Sequence, residues 1–254
     1  MKRGGGKISP SKEAAYIAVT CALLIGGQYV FSFVVGVEIV TLILVCFSSV
    51  FGAKRGVILA AAFSVLRCLI FGFTPAVLIL YLIYYPALAA LFGAIGRFKC
   101  EDFGKVGFAV AVNILLICVC CACALCYALD IIKISRLYKV TLQILLWVIF
   151  CLGAVLLVAF DLLFVVQKKF KKSNSQILRL IAYAAIAAVC TVCFTLLDDI
   201  ISPLFYGMTR LSALTYFYAS FAAMLPQTVC TIVTVITLFL PITKAFSRFY
   251  KANQ

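Results

Sequence analysis

Eight apolar runs, spread from one end of the chain to the other, leave it few ways to fold. They lie near residues 13–35, 38–53, 56–73, 75–96, 104–129, 138–167, 176–202 and 212–244, and the second is short for a complete crossing. A hydrocarbon core of roughly 30 Å is crossed by about 20 helical residues. Within it each backbone N–H and C=O must find a partner inside the protein, which leaves helices and closed barrels. A barrel would read as alternating segments of about ten residues, whereas these runs are continuous and rich in Leu, Ala and Ile. Of the 254 residues, 66% are hydrophobic and 12% charged, far from the balance of a soluble domain. The expected fold is an all-α integral membrane protein with about eight transmembrane helices.

Basic residues test that count, because short cytoplasmic loops collect Lys and Arg. With the N-terminus inside, the clusters at 2–12, 54–55, 97–105, 168–179 and 244–251 all fall on one side. Of the 22 Lys and Arg, only Lys133, Arg136, Lys139 and Arg210 are left outside, with Arg67 inside a span. The pattern predicts an even number of spans with both termini cytoplasmic. The net charge of +14 then reads as topology plus attraction to anionic lipid, and not as a nucleic-acid footprint. The first run is longer than a signal-peptide core and no small-residue cleavage site follows it, so it is expected to stay as a helix.

The chain has 13 cysteines and no histidine. The densest group, CVCCACALC at 118–126, falls inside a span and lacks the paired spacing of a zinc site, so it reads as small apolar filler and no metal is expected. Without imidazole, the metalloprotease, rhomboid, haem-bundle and most proton-shuttling mechanisms are closed. GGGK at 4–7 lacks the spacing of a phosphate-binding loop. No catalytic residue, cofactor or nucleotide site is predicted, and the chain is not expected to be an enzyme.

Polar residues at membrane depth are what remain, and each is costly without a partner. With the topology above, Gln28, Glu38, Arg67, Asp198, Asp199, Arg210, Tyr216 and Tyr218 fall toward the outer side and form the candidate substrate-binding set. An aspartate neutralising Arg67 is one reading. Neighbouring residues on a helix point about 100° apart, so the second carboxylate would then be free to face a cavity. The blander readings are a helix end just before Ser202–Pro203 for the aspartates and snorkelling to headgroups for Arg67. Asp161 is placed nearer the cytoplasmic side, within reach of Lys168 and Lys169, and is read as structural. Tyrosines offer stacking faces and hydroxyls, and an arginine suits a carboxylate or phosphate.

In the first span Ala14, Ala18 and Ala22 recur every four residues, a smooth stripe on which membrane helices associate. The basic N-terminus, this stripe, the short span VEIVTLILVCFSSVFG, the turn AKRG leading into AFSVLRCLIFGF, and a fourth helix ending LFGAIGRF resemble the substrate-binding S components of energy-coupling factor (ECF) transporters. LLDDIISPLFYG followed by LTYFYASFAAMLPQTVCTIVTV is similar to the last two helices of that family. The resemblance covers residues 8–100 and 177–245. S components usually have six helices; residues 104–172 add what reads as an inserted hairpin, giving one transmembrane domain of helices 1–4 (1–103), hairpin (104–172) and last two core helices (173–254).

The resemblance implies a capture subunit of the bacterial cytoplasmic membrane that binds a vitamin or related micronutrient from outside. It implies docking on a transmembrane coupling protein driven by two cytoplasmic ATPases, with Ala14, Ala18 and Ala22 as interface residues. A stand-alone ion-coupled carrier, with Asp198 or Asp199 as the ion site, and a membrane enzyme acting on a lipid-linked substrate are the alternatives.

Overall fold

A computed structural model of the chain describes residues 9–34, 39–98, 106–128, 136–170 and 175–252, and every regular element among them is an α-helix. There are eight: α1 (Pro10–Phe31), α2 (Ile39–Phe51), α3 (Ala53–Phe71), α4 (Pro75–Ile95), α5 (Val106–Ala128), α6 (Arg136–Phe170), α7 (Ser175–Phe205) and α8 (Arg210–Ala252). Each lies on one of the apolar runs. Five contain stretches long and apolar enough to cross a membrane: Pro10–Phe31, Pro75–Ile95, Leu146–Val166, Gln176–Phe205 and Leu211–Tyr250. That is the pattern of a multi-pass membrane protein. With 13 residues, α2 is apolar but only about 20 Å long, and Lys54, Arg55 and Arg67 interrupt the apolar character of α3. At 43 residues α8 is about 64 Å long, twice a hydrocarbon core.

The chain divides into two compact units, the first made of α1–α4 and the end of α8 from Thr237, the second of residues 98–236. In the first, α2, α3 and α4 meet through small residues. A Cβ added to Gly93 would run into the backbone of Ala53, one on Gly96 would come within 2.5 Å of the Ser49 carbonyl oxygen, and one on Gly56 would collide with Ser48. AKRG, expected as a turn, is instead the first turn of α3, which lies backbone to backbone against its neighbours, and the sharp turn into it falls one residue earlier. Gly52, at φ 92°, makes that turn in a conformation that side chains resist. Above this contact the apolar filling is aromatic: Phe47 stacks on Phe51 at 4.4 Å, and Phe246 and Tyr250 of α8 meet Phe51 edge-on at 6.0 and 5.5 Å. Glu13 of α1 is bound by Arg55 through two contacts, Nε to Oε1 at 3.1 Å and a second guanidinium nitrogen to Oε2 at 3.3 Å. Arg55 also donates to the Phe51 carbonyl at 3.4 Å, meeting an acceptor that the end of α2 leaves open.

In the second unit α5 packs on α6 and α7, and α6 on α7. Leu146 and Ile149 of α6 join Tyr218, Phe221 and Met224 of α8 in one buried cluster, with Val192 of α7 against it. Asn113 of α5 donates to Asp161 of α6 at 2.6 Å, so Asp161 finds its partner across the predicted hairpin. The side chains of Lys168 and Lys169 lie outside the described residues. The other side of α6 is bare: Trp147, Val155, Val158, Leu162 and Val165 are each more than half exposed.

Candidate functional site

Asp198 and Asp199 sit in α7 two turns before its end, because the helix runs on through Pro203 to Phe205. Pro203 lies in the last turn and has no N–H to return to the Asp199 carbonyl one turn before it. The exit is a tight one. Tyr206 N–H donates to the Ser202 carbonyl at 3.0 Å, Met208 N–H reaches back to the Pro203 carbonyl at 3.0 Å, and Gly207 takes φ 57°. This wrapped C-terminus satisfies carbonyls that would otherwise be orphaned. Thr209 then caps α8, its Oγ1 accepting from Ser212 N–H at 3.3 Å. The turn is short, and it brings the start of α8 back along the end of α7.

That return sets both carboxylates against α8. Asp198 accepts from Tyr216 OH at 2.7 Å and, within α7, from Ser202 Oγ at 2.6 Å. Asp199 accepts from Ser220 Oγ. The two aspartates diverge by the helical angle, yet Tyr216 and Ser220 are one turn apart on the same face of α8 and each takes one carboxylate. The second oxygen of Asp199, Oδ2, is buried and has no hydrogen-bond partner among the described residues. Toward the middle of the pair Thr191 and Thr231 share a hydrogen bond at 3.1 Å, and Thr195 and Thr228 are buried beside them. A run of hydroxyls thus continues along α7 and α8 from the carboxylates, about 12 Å from residue 199 to residue 191.

The remaining predicted site residues are divided between the two units. Tyr218 turns into the apolar cluster with Leu146 and Phe221 and is only 8% exposed. In the other unit, Gln28 is half-buried on α1 with its Oε1 buried and unpartnered among the described residues. Arg67 is half-buried on α3, its guanidinium over the rings of Tyr81 and Phe71. Glu38 lies outside the described residues, as does the side chain of Arg210, the first residue of α8. Ala14, Ala18 and Ala22 are all exposed along α1.

Ser202 and Ser220 complete the carboxylate site and were not singled out from sequence. Their signal is positional: each lies four residues beyond a residue that was, Asp198 and Tyr216. Asn113, partner of Asp161, was also missed, being the polar residue of an apolar helix with nothing nearby in sequence to pair it. Among the described residues no three His, Cys, Asp or Glu side chains come together as a metal site. Cys120 is half-buried at the α5–α6 contact, its Sγ 3.9 Å from the Phe150 carbonyl, whereas Cys118 and Cys121 are exposed; the side chains of Cys123 and Cys126 are outside the described residues. No protein-family model, curated protein or solved structure matches the chain.

Proposed function

We propose that the protein is a membrane-embedded capture subunit for a small molecule, of the kind that the S components of ECF importers represent. The observation that carries this reading is the α7–α8 site. Two carboxylates lie inside a helix long and apolar enough to span a bilayer, fixed by hydroxyls from the next helix, with Asp199 Oδ2 left without a hydrogen-bond partner among the described residues. Polar groups are held at such depth at a cost that a purely structural helix avoids, and a preset array with an open acceptor suits ligand binding. Eight spans with both termini cytoplasmic, in a bacterial plasma membrane, would turn this end of α7 outward. A vitamin or related micronutrient would enter there.

The chain would not be catalytic; energy would come from a coupling protein and its two ATPases. The exposed row of Ala14, Ala18 and Ala22 on α1 suits that docking, because small residues let a partner helix approach closely. The open oxygen of Asp199 also favours a second reading, an ion-coupled carrier that loads a proton or sodium ion there.

Native mass spectrometry of the protein, purified from its own host without added ligand, separates the two. A retained small molecule with co-purifying coupling protein and ATPases is expected. A solitary, empty protein that drives uptake in liposomes under an ion gradient would replace the capture reading with the carrier.

A further inference from the structure

Two arginines on α3 are treated differently. Arg55 meets both oxygens of Glu13 and a backbone carbonyl. Arg67, three turns further on, makes no hydrogen bond to any described residue, and its Nε is buried. What it has instead are rings: Cζ lies 4.9 Å from the centroid of Tyr81 and 5.6 Å from that of Phe71, over each. The rings are themselves fixed. Tyr81 is buried on α4, and its carbonyl accepts from Ser64 Oγ of α3 at 3.1 Å; Phe71 meets Tyr29 of α1 at 6.1 Å.

An aromatic face attracts a cation but offers no lone pair, so the planar fork of N–H donors stays unmet. A guanidinium held this way, with water partly excluded, is matched in geometry by an anion that can present two oxygens at once. We propose that Arg67 anchors an oxyanion site, in which a carboxylate or phosphate sits where α1 and α3 end and α4 begins, held by two parallel N–H···O bonds. The assignment rests on the capture reading only where the oxyanion belongs to the captured molecule, since a lipid headgroup phosphate has the same chemistry.

The test uses full-length protein labelled with ¹⁵N-arginine in phosphate-free maltoside micelles. The Nε–H resonance of Arg67 is identified by its loss in Arg67→Lys or, should that variant not fold, in Arg67→Gln. Inorganic phosphate and benzoate are titrated separately against sodium chloride at matched ionic strength. A saturable downfield movement with both anions and none with chloride is expected. Where Arg67→Lys folds, its thermal stabilisation by either anion should need about tenfold more anion, because lysine keeps the charge and loses the fork.

Phosphatidylcholine nanodiscs then separate the sources. A resonance already at the bound position without added anion, and indifferent to phosphate, assigns the site to lipid headgroups; one that moves only when phosphate or benzoate is added assigns it to a free molecule. A resonance unmoved by both anions in micelles and unchanged in nanodiscs overturns the proposal. Movement at Arg67 alongside native mass spectra devoid of captured ligand would keep the oxyanion site and discard the importer; a captured ligand with a silent Arg67 would do the reverse.

Discussion

Asp198 has two donors and Asp199 one, so the same kind of substitution should act differently at the two positions. Tyr216→Phe leaves Asp198 with Ser202, and its effect on stability in a reversible SDS titration should be about 1.5–3 kcal/mol, the range for a hydrogen bond to a charged acceptor. Removing Ser202 as well should cost more than the two single changes together, because only then is the carboxylate stranded. Asp199→Asn retains an acceptor for Ser220 and alters the atom that faces no described partner. It should fold normally and bind the captured ligand at least about tenfold more weakly, a loss of one charged hydrogen bond. Unchanged affinity in isothermal titration would take the ligand away from α7. The adjacency of the aspartates was plain from sequence, but their donors were not. Ser220 is an ordinary small polar residue until a turn at Gly207 folds α8 back along α7, and Ser202 until α7 keeps its helix through that position.

At the scale of elements, the glycines of α3 and α4 set how closely helices meet. Gly96→Ala would push a methyl into the Ser49 backbone, which cannot swing aside, and should lower stability by about 1–3 kcal/mol or more. Gly26→Ala on α1 is the matched control: nothing lies within 4 Å of the new methyl, and higher helix propensity should leave stability unchanged or raised by up to about 1 kcal/mol. Equal losses at both positions would mean that the close approach is not what holds α2 to α4. In the Asn113–Asp161 pair, replacing either residue by leucine strands the other, so each single change should destabilise the protein more than the double change does. Helix positions were legible because apolar run length fixes them almost alone. Three ends were not. Pro203 reads as a stop just after Ser202, yet α7 continues past it to Phe205; α1 finishes at Phe31, short of the end of its apolar run; and α8 continues to Ala252 through Lys244 and Arg248. Those last turns are held by Phe246 and Tyr250 against α2, a long-range contact that local hydropathy does not register.

For the molecule as a whole, composition was enough to indicate a helical membrane protein, whereas the division of the chain into two compact units, with α8 contributing to both, has no counterpart in hydropathy. Distribution of charge made the prediction of cytoplasmic termini, and that prediction can be checked directly. A fluorescent-protein fusion at the C-terminus should glow in a bacterial host, and single cysteines introduced at Lys133 and Arg210 in a cysteine-free background should react with an impermeant maleimide from outside. Label reaching those positions only after lysis would invert the predicted topology and with it the proposed outward orientation of the α7 site. The bare side of α6 has a further use. Its Trp147 is the protein's sole tryptophan and is 53% exposed there. Intrinsic fluorescence therefore watches the solvent of the helix and not the binding site: brominated acyl chains should quench it, and its emission should serve as a built-in gauge of bilayer depth against which any ligand-dependent colour change can be read as long-range.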